Sequence, residues 1–213
     1  MRVPLALGPT PHPGPLPQGE RGHRACQRFR VGIALRGMSL SFTPYEAAPG
    51  RECGGCTMCC KLYTLPEINK PAGVWCQYCT PGKGCTIHDY LPGQCRDFFC
   101  LWMTDATMPD EWRPDRARFV LSVYPTTGFV HGQVDPGSPG AWRRPPYYER
   151  LRAMAKTLLD QRLHLLMFVG DQATLVLPDE DVPLGKMTAE DNFRIEPVFG
   201  PNGPTWRATR VQG

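Results

Sequence analysis

The chain has 213 residues, of which 41% are hydrophobic and 21% are charged, so a packed core is expected and wholesale disorder is excluded. No apolar run approaches the ~18 residues that a membrane span needs. The formal net charge of +4 arises in residues 1–37, which hold six arginines and one glutamate, while the remainder has a net charge of −1. Neither a membrane protein nor a nucleic-acid-binding surface is therefore predicted.

Residues 1–37 are predicted to be a disordered extension. Proline at positions 9, 11, 13, 15 and 17 excludes a helix and favours extended coil. Two interpretations stay open: a genuine basic tail, or translation from a point upstream of the true start, with Met38 as the initiator. The apolar stretches are too short for a secretory signal, so we expect a cytoplasmic protein with reduced thiols.

Cysteine is concentrated in one part of the chain. Nine of the ten cysteines lie between Cys53 and Cys100, and none follows Cys100. This segregation predicts a Cys-cluster metal-binding module over 38–103, beginning with a loop over 38–52. A separate small α+β domain is expected over 104–213.

The second half is predicted to contain two hairpins on either side of one helix. A helical turn is expected at 110–112, and apolar residues spaced three and four apart predict a helix over 147–163. Alternating or β-rich stretches predict strands at 117–124, 129–135, 163–169 and 173–177, with turns at Thr127-Gly128 and Gly170-Asp171. Beyond Pro178 we expect loop or one short strand. The fold class is therefore α+β, with an irregular Cys-rich module followed by a small antiparallel sheet and one main helix.

The cysteine spacing is typical of metal ligation. Two C-x2-C steps follow each other in CGGCTMCC, and a third lies in CQYC. A C-x2-C step can present two thiolates to one metal ion. Nine thiols suit two four-Cys sites with one spare, or an iron–sulfur cluster plus a separate zinc. Because neighbouring residues in a strand face opposite sides, Cys59 and Cys60 are expected either to serve two sites or to include a bridging thiolate.

The strings CGGCTMCC, GCTIH and QCRDF resemble the bacterial zinc- or iron-chelating cysteine-cluster family, the YkgJ-like CxxCxxCC proteins, over residues 53–102. The resemblance implies zinc or iron as the cofactor, with an iron–sulfur cluster as an alternative. The chain departs from the family in lacking Arg-Pro before QCRDF. The implied metal ligands are Cys53, Cys56, Cys59, Cys60, Cys76, Cys85, Cys95 and Cys100. Cys79 is the candidate spare thiol, and His88 is a further candidate ligand, although a surface position is favoured for it.

Three functional hypotheses follow. The first is a metal- or cluster-binding protein with a redox or electron-transfer role and a redox partner. The second is a structural zinc module that presents the α+β domain to a protein partner. The third is an enzyme, although no acid–base pair or nucleophile is recognisable in 104–213. His131 and His164 are expected to be packed rather than to bind metal. Four arginines near Tyr147 are expected to form a solvated face: Arg143, Arg144, Arg150 and Arg152.

Overall fold

The computed structural model describes residues 31–35, 38–42, 46–124, 128–187, 191–201 and 203–211. Within these ranges helices and strands are mixed, which confirms the α+β class. The helices are α1 (Met58–Leu62), α2 (Gly93–Arg96), α3 (Leu101–Thr104), α4 (Pro114–Ala117) and α5 (Tyr147–Asp160). The strands are β1 (Val31–Leu35), β2 (Met38–Phe42), β3 (Cys79–Thr80), β4 (Gly84–Cys85), β5 (Phe119–Val123), β6 (Val130–Val134), β7 (Leu165–Val169), β8 (Gln172–Val176), β9 (Asp181–Lys186), β10 (Asn192–Gly200) and β11 (Gly203–Val211).

A five-stranded sheet in the order β5-β6-β7-β8-β9 forms the centre of the fold. The four predicted strands and the long helix are present, and a 3-10 turn occupies Asp110–Trp112 as expected. The sheet is mixed rather than purely antiparallel, because β6 and β7 pair in parallel. Helix α5 connects these two strands, and a parallel pair requires a crossover of this kind. The predicted turn residue Thr127 lies outside the described residues.

The segment after Pro178 contains three strands, so the expectation of loop or one short strand is wrong. Strand β9 lies at the edge of the sheet, where its Pro183 is tolerated. Strands β10 and β11 form a separate antiparallel hairpin. Phe193 and Trp206 of this hairpin pack against a small cluster of buried leucines on the sheet. The hairpin is therefore held by side-chain packing and not by extension of the sheet.

The N-terminal expectation also needs correction. Val31–Leu35 pairs with Met38–Phe42 as an antiparallel hairpin, whereas the sequence pattern predicts disorder up to residue 37 and loop from 38. Residues 1–30 lie outside the described part of the chain. No helix in the described ranges is long and apolar enough to cross a membrane.

One hydrophobic core runs across the predicted boundary at residue 103. Met58 and Leu62 of α1 share this core with Phe119 of the sheet and with Leu151 of α5. Helix α3, whose four residues are all buried, spans the boundary itself. The cysteine-bearing segment is therefore packed onto the sheet, and the sheet positions it.

Candidate metal centre

The first cysteine loop is a tight turn that leads into α1. The Cys56 amide donates to the Cys53 carbonyl over 2.8 Å, and Gly54 adopts a positive φ of 47° that suits glycine. Helix α1 then carries Cys59 and Cys60, while its Met58 is only 2% exposed in the core. Burial of α1 thus fixes the direction in which the vicinal cysteines point.

The second cysteine loop lies directly against the first. The Cys76 amide donates to the Cys60 carbonyl over 3.0 Å, and Cys79 pairs with Cys85 across the β3–β4 ladder. A Cβ added at Gly55 would lie 2.8 Å from the carbonyl oxygen of Gly82, closer than real contacts allow. Glycine is therefore required at Gly55 because the two loops touch through their backbones.

Eight cysteines line one cavity of about 890 Å³. They are the eight implied ligands: Cys53, Cys56, Cys59, Cys60, Cys76, Cys85, Cys95 and Cys100. Cys95 reaches the cavity from α2, and Cys100 precedes α3 at its buried end. The nine described cysteines, Cys79 included, are all free thiols. A chain segment of about fifty residues thus brings eight sulfur donors to one space.

Electrostatic coupling divides the thiols into two sets. The first set comprises Cys53, Cys56, Cys59 and Cys100, since Cys100 interacts with Cys53 and Cys56, and Cys59 interacts with Cys53 and Cys100. The second set comprises Cys60, Cys76, Cys79, Cys85 and Cys95. Cys60 also interacts with Cys53 and Cys59, so the vicinal pair lies where the two sets meet. Whether these neighbouring cysteines serve two sites or include a bridging thiolate stays a prediction.

The vicinal thiols differ strongly in acidity. A hydrogen bond from Cys59 lowers the pKa of Cys60 to about 6, and the same bond raises the pKa of Cys59 well above its ordinary value. Burial raises the pKa of Cys53 to about 11 and that of Cys100 to about 12. At neutral pH Cys60 is therefore a thiolate, whereas Cys53 and Cys100 keep their protons unless a cation lowers their pKa.

The donor chemistry fits zinc or iron, although the side chains are not gathered into a finished site. Among the residues that the structure describes, no group of three or more Cys, His, Asp or Glu side chains is placed to hold an ion. The wall of the cavity nevertheless contains the indole of Trp102, which is 8% exposed. The buried Nε1 of Trp102 has no hydrogen-bond partner among the described residues. Such an N–H is a suitable donor to a metal-bound sulfur.

The other candidate residues differ in exposure and in their contacts. His88 is exposed in a 3-10 turn at the cavity wall. His164 is half-buried, and its ring contacts Phe193. Arg143 and Arg144 are exposed, whereas Arg150 is half-buried, and Arg143 and Arg150 form ion pairs with acidic side chains. Arg152 makes a contact that was not expected, because its guanidinium lies over the ring of Tyr148.

A hydrogen-bonded group of three polar side chains in the cavity wall was not predicted from the sequence. Ser122 Oγ lies 3.1 Å from Nε2 of His131 and 3.2 Å from the hydroxyl of Tyr63. All three residues line the cavity, and burial lowers the pKa of His131 to about 4, so its ring is neutral at physiological pH. Ser122 and His131 are direct partners in the β5–β6 ladder, and only the hairpin register could have revealed their contact.

Comparison with known proteins adds no relative. No protein-family model, no curated protein and no solved structure matches the chain. The functional argument therefore rests on the residues and their geometry.

Proposed function

We propose that this protein binds zinc or iron through its cysteine cluster. The observation that carries the proposal is the convergence of eight thiols on one cavity, all of them free. Four thiolates complete a tetrahedral zinc site, and four also hold an iron–sulfur cluster. With iron the protein would have a redox or electron-transfer role and a redox partner. The cysteine motifs also support kinship with the YkgJ-like proteins and a reducing, cytoplasmic location.

Two sites account for the cysteine geometry better than one. The first set supplies four thiols, of which Cys53 and Cys56 lie in one turn and Cys100 approaches from another segment. The second set supplies four thiols that line the cavity, together with Cys79. Since the side chains are not gathered into a finished site, binding would draw the two loops inward and couple metal uptake to local ordering.

The chemistry of the surroundings supports thiolate ligation. Lys70 is 5% exposed and lies close enough to the second set to stabilise negative charge there. Its ammonium group also donates to the Lys61 carbonyl over 2.8 Å and to the carbonyl of Tyr63. The cation is thereby anchored beside α1. Trp102, two residues after Cys100 of the first set, supplies an N–H that has no partner among the described residues.

A structural zinc centre is the alternative that a specific observation favours. The cysteine segment shares its core with the sheet, so an ion would stabilise the fold as a whole rather than a detached module. In that case the metal would be colourless and would not change oxidation state. The remaining surface would then be available to a protein partner.

The experiment is anaerobic purification followed by metal, sulfide and thiol analysis. A brown protein with iron and sulfide selects the cluster, and a colourless protein with about two zinc ions selects zinc. Folded protein that takes up neither metal under reducing conditions would contradict the proposal.

Variants test the division into two sites. Cys100→Ser should remove one ion, because it deletes a ligand of the first set, and Cys95→Ser should remove the other. Cys79→Ser is the matched control, since this cysteine lies outside the cavity wall, and it should keep both ions. Equal metal loss from all three variants would contradict two separate sites.

A further inference from the structure

Cys79 differs from the other thiols of the second set. Cys60, Cys76, Cys85 and Cys95 line the cavity, whereas Cys79 is the one described cysteine of the cluster that does not. Four thiolates suffice for a tetrahedral ion, so the fifth sulfur has no place in the coordination sphere. The second set therefore contains one thiol more than a tetrahedral site needs, and in the structure the Cys79 thiol donates a hydrogen bond to Cys60.

The β-ladder places this surplus thiol opposite a candidate ligand. Cys79 and Cys85 are Cα partners in the antiparallel β3–β4 pair. The amide of Thr86 donates to the carbonyl of Tyr78 over 2.8 Å, which makes Cys79 and Cys85 a non-hydrogen-bonded pair. In such pairs the Cα atoms are about 4.5 Å apart and the side chains share one face. A disulfide requires a Cα separation of about 4.4–6.8 Å, so the pair satisfies the backbone requirement.

Both sulfurs are within reach of solvent. Cys79 and Cys85 are half-buried, and the connecting loop from Thr80 to Lys83 is exposed. A small oxidant can therefore approach the pair without unfolding of the core. Within the first set, Cys100 is only 8% exposed, whereas Cys53 is exposed.

We propose that Cys79 and Cys85 form an oxidation site whose cross-strand disulfide removes one ligand from the second metal site and releases its ion. The release depends on the proposed metal binding, whereas the disulfide itself does not. The oxidant is a peroxide. A thiolate sulfur attacks one peroxide oxygen, the O–O bond breaks, and a sulfenic acid and hydroxide form. The second sulfur attacks the sulfenic sulfur, and a second hydroxide leaves. Two thiols thus lose two electrons, their protons convert both hydroxides to water, and the peroxide is reduced.

The test uses the full chain, loaded with zinc under anaerobic conditions and then exposed to hydrogen peroxide. Released zinc is followed with a chromophoric chelator, and disulfides are located by mass spectrometry after alkylation of the free thiols. We expect a Cys79–Cys85 disulfide, with one zinc ion released for each disulfide formed. Dithiothreitol should reverse the cross-link and restore zinc binding.

Cys79→Ser is the decisive variant, because it retains every candidate ligand. It should bind as much zinc as the parent and release the second ion more slowly under peroxide. Cys26→Ser alters the only cysteine outside the cluster and should behave like the parent. Zinc release at the parental rate from Cys79→Ser, or a predominant Cys60–Cys79 disulfide, would overturn the inference.

The outcomes separate this inference from the proposed function. Zinc binding without the Cys79–Cys85 disulfide would overturn the inference and leave the proposed function standing. A Cys79–Cys85 disulfide in a protein that never binds metal would support the oxidation site and overturn its role in metal release.

Discussion

The contact between the cysteine segment and the sheet depends on a buried carboxylate at the end of β6. Asp135 has no exposed side-chain surface and accepts hydrogen bonds from Lys61 of α1 over 2.7 Å and from the amide of Gly137 over 3.0 Å. The guanidinium of Arg118 donates to the second carboxylate oxygen. Asp135 therefore links the helix that carries Cys59 and Cys60 to the central sheet.

Replacing Asp135 with Asn removes the negative charge and keeps one acceptor oxygen. Hydrogen bonds to charged groups contribute about 1.5–3 kcal/mol, and we expect a loss of that size in the free energy of unfolding. Complete removal of a partner from a buried ion pair costs about 3–5 kcal/mol, which is an upper bound here because the side chain of Arg118 is 40% exposed. The matched control is Asp97→Asn, since Asp97 is 68% exposed in a surface pair with Arg96. The control should change stability by no more than about 0.5 kcal/mol.

The pH dependence adds a second readout for the same substitution. Burial alone would raise the pKa of Asp135, but the hydrogen bond from Lys61 and the nearby charges outweigh it, and the net pKa is lowered. A lowered carboxylate pKa contributes stability above the unfolded value of about 3.9 that is lost as the pH falls through the folded pKa. The difference between parent and Asp135→Asn should therefore be full at neutral pH and should shrink in acid.

The assay is urea unfolding followed by far-ultraviolet circular dichroism, with parent, Asp135→Asn and Asp97→Asn measured side by side. If Asp135→Asn and Asp97→Asn have the same effect at neutral pH, the buried link does not stabilise the fold and the reasoning is refuted.

Three further predictions concern the loop contact, the core and a half-buried histidine. Gly55→Ala should lower the free energy of unfolding by about 1–3 kcal/mol, because its methyl group meets a backbone carbonyl. The control is Gly140→Ala, which has open space around it and should not destabilise the fold. Urea unfolding compares the two variants. Leu151→Ala should lower the free energy of unfolding by about 2–5 kcal/mol, because it leaves a cavity in the core. Because the core is continuous, tryptophan fluorescence and circular dichroism should report one coincident unfolding transition rather than two. Since the pKa of His131 is lowered to about 4, the parent should lose stability as the pH falls from about 6.5 towards 4. His131→Asn should lose less stability over that interval. A parallel pH profile of stability for parent and variant would contradict this prediction.

The elements with a strong periodic pattern could be predicted from the sequence. The apolar stripe of α5 is buried at Leu151, Met154, Ala155 and Leu158, as its spacing indicates. The helix ends at Asp160 rather than 163, because Arg162 adopts a left-handed conformation before β7 begins. Local spacing therefore identified the helix, and the backbone reversal that ends it carries no clear sequence signal.

The C-terminal hairpin was predictable in principle. Phe193 and Ile195 alternate with charged residues, and Asn202-Gly203 is a strong hairpin signal. Pro197 and Pro204 obscured this pattern, since proline usually excludes a central strand. A two-stranded hairpin leaves outer edges without strand partners, so both prolines are accommodated.

The candidate site was predictable in composition and not in arrangement. Cysteine spacing indicates the ligand type, whereas the choice of Cys79 as the spare thiol is what the family resemblance implies. In the structure Cys79 lies outside the cavity wall. The contact of Ser122 with His131 depends on strand register, and the continuity of the core across residue 103 depends on packing between distant segments. These long-range relations follow from the fold and have no local pattern.

The central claim is that cysteine thiolates bind metal ions in this protein. X-ray absorption spectroscopy of the protein loaded under reducing conditions tests it most directly, because the method reports the identity and distance of the atoms bound to the metal. We predict a shell of four sulfur atoms per ion, at about 2.3 Å for zinc. A shell made of nitrogen and oxygen atoms, as expected for a metal held by adventitious surface groups, would contradict the account.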